Sequence, residues 1–221
     1  MTRPAPLVCV ITDRRRVCGD APTPARLMTA FERWLDEVID AGPDLVQVRE
    51  RDLGARALAS LARRAVIRAA GTHVRILLND RADVARASAA AGVHLRADGP
   101  PASRVRELAP GRWLITRSVH TLDEVLAQQD ADALLFGTVF PSRSKPERAA
   151  VAGLDELRSA VGLSRAPVMA IGGIDVARAA SAVRAGAAGV AAIGVFLPRG
   201  AEPAALGPSR AVAALRAAML E

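Results

Sequence analysis

Lys145 is the only lysine in a chain of 221 residues; every other side chain among its 30 lysines and arginines is arginine. It sits near the end of residues 137–145 (GTVFPSRSK), which leave the apolar run 133–136 and carry two hydroxyls, Ser142 and Ser144. A compact charge on a flexible stem suits a phosphate oxygen or a leaving group that moves during reaction, where a planar guanidinium fits less well. Two glycine positions point the same way. Gly172-Gly173 and Gly194 each follow an apolar run, Ile193 preceding the latter, and glycine lets backbone N–H groups come close to an anion. A further set, Arg49, Arg51, Asn79 and Asp80, joins cations to a carboxylate. Arginine grips phosphate oxygens in pairs of hydrogen bonds. Asp80 is a candidate Mg²⁺ ligand, and its alternative is an internal ion pair with Arg81 or Arg49. His120, two residues after Ser118, is a candidate acid/base near neutral pH, and on a continuing strand the two share a face. His94 faces the same choice between chemistry and structure, and His73 is expected to be structural. Three scattered histidines and two cysteines, Cys9 and Cys18, have no zinc spacing.

The elements that would position these residues alternate regularly. Apolar runs at residues 7–12, 45–48, 75–78, 93–95, 113–116, 133–136, 167–171 and 189–193 read as strands, the first continuous enough to be buried on both faces. Helical patterns fall at about 23–41, 55–70, 82–91, 102–109, from 122 onward, and at 154–161, 176–185 and 203–220. Gly42-Pro43 stops the first of them, and Thr121 and Asp175 are placed to cap two others. Arg14-Arg15-Arg16 is read as a loop after the first strand. Eight strand–helix alternations with no linker argue for one domain, a closed (β/α)8 TIM barrel, with an open doubly wound sheet as the alternative. In a barrel the C-terminal strand ends carry the chemistry, and loops after strands seven and eight bind phosphate. Each candidate residue falls at such an end.

Composition narrows the partners. Apolar residues make up 51% but aromatics only 3%, so the core is built from small and branched aliphatic side chains. No apolar run reaches the roughly 20 residues of a membrane span, and the first residues lack a signal-peptide pattern, so the expected location is the cytoplasm. A net charge of +7 invites a nucleic-acid reading. The arginines are instead spread over nearly every helix, with no aromatics interleaved for base stacking. A basic mouth that steers a small anion fits better.

In order and spacing, VITD (10–13), QVRER (47–51), LLNDRADVA (77–85), GVHL (92–95), RSVHT (117–121), FGTVFPSRSKP (136–146) and AIGGI (170–174) resemble the thiamine phosphate synthase/TenI superfamily over nearly the whole chain. The resemblance implies a (β/α)8 barrel that acts on a thiazole phosphate, a homo-oligomer with no nucleic-acid or membrane partner. It holds two activities. The synthase joins hydroxymethylpyrimidine pyrophosphate to thiazole phosphate with Mg²⁺, releasing pyrophosphate. The TenI-type tautomerase shifts a proton on the thiazole phosphate carboxylate with a histidine and no metal. Synthases read QxREK where this chain has Arg51. They carry Gln and a second metal-binding Asp where it has Ala97 and Gly99, with Asp98 one place out of register. They place serine after strand eight where Ile193 runs into Gly194. RER, RSVH and LFGxVF are similar to TenI-type sequences. The favoured expectation is therefore the tautomerase, with His120 as acid/base and no cofactor. The synthase with Mg²⁺ at Asp80 is the alternative, and a non-catalytic thiazole-phosphate-binding paralogue is a third. By the same resemblance Gln47, Arg49, Arg51, Asn79, Ser118 and Lys145 hold substrate, while Ser142, Ser144, Gly172, Gly173, Ile193 and Gly194 hold phosphate or thiazole.

Overall fold

A computed structural model describes residues 5–19, 23–109, 111, 113–142 and 151–220. Eight parallel strands close into a barrel in chain order. They are β1 (Leu7–Ile11), β2 (Leu45–Val48), β3 (Arg75–Asn79), β4 (Gly92–Leu95), β5 (Leu114–Val119), β6 (Ala133–Phe136), β7 (Val168–Ile171) and β8 (Gly189–Ala192). Closure is direct, since Leu7 pairs with Gly189 and Val10 with Ala192. The helices are α1 (Arg14–Cys18), α2 (Pro24–Asp40), α3 (Ala55–Ala69), α4 (Ala82–Ala87), α5 (Ala102–Glu107), α6 (Leu122–Ala127), α7 (Gly153–Leu163), α8 (Val176–Arg184) and α9 (Pro208–Leu220).

The strand pleat decides what reaches the mouth. Successive side chains point to opposite faces. Val8, Val10, Val46, Ile76 and Leu78 therefore join the large core between sheet and helices. Cys9, Ile11, Leu45, Leu77, Leu135 and Met169 turn inward and fill the barrel floor. Two residues further along, on the same inward face, stand Gln47, Asn79, Gly137 and Ile171, which line the cavity above. β2 and β3 thus carry their inner faces from an apolar floor to a polar mouth within one pleat repeat, while β6 and β7 lead to Gly137 and Ile171. Burial pushes the Cys9 thiol up to about 12, as befits a small core residue.

Helices seal the outside. α2 buries Phe31, Trp34, Leu35, Val38 and Ile39 at helical spacing, each side chain contributing about 1.5–3 kcal/mol. Trp34 also donates its indole N–H to the Phe196 carbonyl at 3.0 Å. Thr121 and Asp175 cap α6 and α8 through their side chains, as their positions imply. No helix among the described residues is long and apolar enough to cross a membrane.

Three local expectations are corrected. Arg14-Arg15-Arg16 is not loop but the helix α1, because the Asp13 side chain accepts the Arg16 N–H as its N-cap and the carboxylates of Glu50 and Asp52 take up the Arg14 charge. The final helix starts at Pro208, not near 203: Gly207 lies at φ +77, and proline fits a first helical position. A short 3₁₀ turn, Gly194–Phe196, follows β8 instead. β5 runs on to Val119, since Ser118 and Val119 pair with Leu135 and Phe136 of β6.

Candidate active site

A cavity of about 810 Å³ opens at the C-terminal end of the barrel. It collects Gln47, Arg49 and Arg51 from the end of β2, Asn79 from β3, and Ser118 and His120 from β5. Ser142 comes from the loop after β6, Gly172 and Gly173 from the end of β7, and Ile193 and Gly194 from the end of β8. Asp98 also lines it, while Asp80 stands behind Asn79 and outside the lining. Ser144 and Lys145 lie outside the described residues.

At the centre, His94 is 3% exposed. Its Nδ1 meets Thr116 Oγ1 and its Nε2 meets Ser118 Oγ, both at 2.9 Å. Burial, followed by the Arg117 and Arg49 charges, pushes it down to about 3. It is therefore a neutral brace that orients the Ser118 hydroxyl. Ser118 and His120 do share the cavity face, but the hydrogen-bond partner of Ser118 is His94. His120 is held separately. Its backbone N–H donates to Glu124 Oε2 at 2.6 Å, and its Nδ1 contacts the Gly137 carbonyl. A carbonyl only accepts, so Nδ1 carries the proton and Nε2 is left as the basic nitrogen.

The β2 end is fixed from below. Thr12 Oγ1 donates to Glu50 Oε1 at 2.6 Å and accepts the Arg49 N–H at 3.0 Å. Burial pushes the Glu50 carboxyl up. Arg49 is half-buried, and its guanidinium is held below its ordinary value first by burial and then by the Arg51 charge. A polar relay runs sideways: Gln47 Nε2 donates to Asn79 Oδ1 at 2.8 Å, and Asn79 Nδ2 to Asp80 Oδ2 at 2.9 Å.

Asp80 does form an internal ion pair, but with Arg96, and not with Arg81 or Arg49. Arg81 is turned to Asp83 instead, at 2.6 Å. Arg96 Nε lies 3.1 Å from Asp80 Oδ2 and 3.5 Å from Asp98 Oδ1, and the Arg96 N–H donates to Asp80 Oδ1 at 3.0 Å. Three donors thus occupy the Asp80 carboxylate, and a cation already bridges it to Asp98. No group of three or more His, Cys, Asp or Glu side chains placed to hold a metal ion exists among the described residues. This arrangement does not fit Mg²⁺ at Asp80, where the synthase alternative places it.

The opposite side is built differently. Gly172 and Gly173 have φ of +99 and +63, and a Cβ on Gly173 would stand 2.3 Å from the Pro141 carbonyl oxygen. Glycine is required here by backbone conformation and close approach together. Arg178 at the start of α8 donates to the Gly173 carbonyl at 2.8 Å and lies over the Phe140 ring at 5.4 Å. Beside Gly194, Arg16 grips Glu202 at 2.6 Å.

Sequence reasoning missed Arg16, Arg96, Arg178 and Glu202 as lining residues. It also missed Arg117, whose side chain is buried and donates to the carbonyls of Arg96 and Gly99 at 3.0 and 3.2 Å, and to that of Pro100. Arg96 stands just past the end of β4, two residues after His94.

Comparison with known proteins agrees with this geometry. Residues 10–196 match the thiamine monophosphate synthase family. The thiamine-phosphate synthase of Roseiflexus sp. is 34% identical over 86% of this chain and 78% of its own length. A putative thiamine-phosphate synthase of Geobacter sulfurreducens is 39% identical over 93% and 92%. Among solved structures, thiamine phosphate pyrophosphorylase from Pyrococcus furiosus superposes with a TM-score of 0.80 and 28% identity, covering 99% of this chain and 97% of that one. The barrel, its mouth and these likenesses place the chain in the thiamine monophosphate synthase/TenI family.

Proposed function

We propose that this protein joins a hydroxymethylpyrimidine pyrophosphate to a thiazole phosphate, releasing pyrophosphate. The names of its relatives favour this alternative over the tautomerase expected from the sequence. The observation that carries the reading is the division of one cavity into an arginine-lined flank and a glycine-lined flank, each suited to an anion. Arg49, Arg51 and Arg96 bring side-chain charge at the β2–β4 end, and the paired glycines with Arg178 stand across the barrel at β7. Isomerisation of a thiazole phosphate carboxylate needs room for one phosphate and one carboxylate, whereas the condensation needs a place for a diphosphate, whose higher charge suits three arginines.

In this reading the glycine flank, with Ser142, takes the thiazole phosphate. The arginine flank takes the diphosphate, whose charge grows as the C–O bond to the pyrimidine methylene breaks and the thiazole nitrogen forms the new C–N bond. Fixed cations aimed at developing charge act most strongly in a site partly closed to water. Ser118, oriented by neutral His94, supplies a hydroxyl to the same region, and Gln47 and Asn79 hold the pyrimidine edge. Purified protein given both substrates should form thiamine phosphate, and Arg49→Ala should slow it by about tenfold or more. No product from folded protein would overturn the reading.

One observation favours a second reading. The fixed tautomer of His120 leaves a basic Nε2 on a ring that lines the cavity, the group a proton shift requires. A tautomerase would aromatise the thiazole phosphate carboxylate in EDTA and lose that activity in His120→Asn.

A further inference from the structure

We propose that Arg96 is the resident cation of the β3–β4 flank: its guanidinium is held between Asp80 and Asp98 where a divalent ion would otherwise bind, and it meets the diphosphate end of the second substrate. Asp80 is committed to this arrangement by its backbone. It is one of two non-glycine residues with positive φ among the described residues, at +59, and its N–H is tied to the His94 carbonyl at 2.8 Å. In that conformation its carboxylate receives Arg96 from both backbone and side chain, with Asn79 on the remaining edge. Asp98 completes the clamp, its Oδ1 lying 3.5 Å from the same Nε.

The loop that carries Arg96 is itself pinned. The buried Arg117 guanidinium spans the carbonyls of Arg96, Ala97, Gly99 and Pro100, so residues 96–100 are anchored from behind. The Arg96 side chain is nevertheless 56% exposed and lines the cavity. A charge that is fixed at its root and open at its tip serves an incoming anion. Mg²⁺ demands a near-ideal set of oxygen ligands, and here those oxygens are already taken by a cation of the chain itself.

The test is two titrations on the full chain, neither of which involves turnover. Mn²⁺ binding is followed by electron paramagnetic resonance in the unmodified protein, Arg96→Gly, Arg96→Gln and the double variant Arg96→Gly/Asp80→Asn. The unmodified protein should bind Mn²⁺ weakly. Arg96→Gly should gain about tenfold or more, Arg96→Gln should gain less, and the double variant should lose the gain. Inorganic pyrophosphate binding is measured by calorimetry in EDTA, where Arg96→Gly should weaken it by about tenfold or more. Micromolar Mn²⁺ binding by the unmodified protein would overturn the proposal, as would unchanged pyrophosphate affinity in Arg96→Gly. The identity of the anion rests on the two-substrate reading. If the expected binding changes accompany an absence of synthase activity, that reading fails while the assignment of Arg96 stands.

Discussion

In the proposed reading the two flanks of the barrel mouth reach the same end, a place for an anion, by opposite means. The β2–β4 flank uses long charged side chains braced by a relay of hydrogen bonds from Gln47 through Asn79 and Asp80 to Arg96. The β7 flank uses the backbone itself, with two glycines in left-handed conformations pressed against the loop after β6. Side-chain charge can be screened, removed or retuned one residue at a time. A glycine turn is set by sterics and changes only by breaking. The lesson is that the two flanks should fail in different ways, and four substitutions separate them.

The largest effect belongs to the backbone flank. Gly173→Ala puts a Cβ within 2.3 Å of the Pro141 carbonyl oxygen at φ +63, and should cost about 3 kcal/mol in urea unfolding. An unchanged midpoint would show that the turn relaxes freely and that the contrast is false. Next is Arg117→Met, which leaves the carbonyls of the 96–100 loop without their donor. It should cost about 2 kcal/mol and speed hydrogen exchange at residues 96–99.

Smaller still, and confined to the charged flank, is Arg49→Ala. Pyrophosphate affinity should fall by about tenfold, and the loss should shrink as salt is raised. Gly173→Ala should show no such salt response. The smallest effect at neutral pH, and one that grows in acid, concerns the brace between the flanks. His94 stays neutral in the folded protein down to about 3 instead of 6.5, so the unfolded chain takes up a proton that the fold refuses. Its contribution is intact above 6.5 and erodes as pH falls through 6.5 toward 3, by at most about 1.4 kcal/mol per pH unit. His94→Gln should flatten the pH dependence of stability in that window, measured by denaturant unfolding at pH 7, 6 and 5.

Much of this was legible in the sequence, for identifiable reasons. Continuous apolar runs and regular helical spacing read as a barrel because parallel strands are buried on both faces. Thr121 and Asp175 read as caps because a hydroxyl or carboxylate there has a single local use. The strand-end positions of Arg49, Asn79, Ser118 and His120 brought them into one cavity. Partner choice was less legible. Ser118 pairs with His94 on the neighbouring strand and not with its sequence neighbour His120, since adjacency on a strand says nothing of the next strand. Arg96 was hidden by composition: in a chain that writes almost all of its positive charge as arginine, one more arginine carries no signal until Asp80 and Asp98 are seen on either side of it. The loop with Ser144 and Lys145, from which the functional argument starts, lies outside the described residues.

The central claim is that the mouth holds two anions at once. Calorimetry tests it most directly, by titrating inorganic pyrophosphate into the protein alone and into protein saturated with thiazole phosphate, with magnesium present in both. The account predicts that pyrophosphate still binds the saturated protein, with affinity within about threefold of that without thiazole phosphate. A pyrophosphate affinity that falls in proportion to the thiazole phosphate added would mean a single shared anion site, and would contradict it.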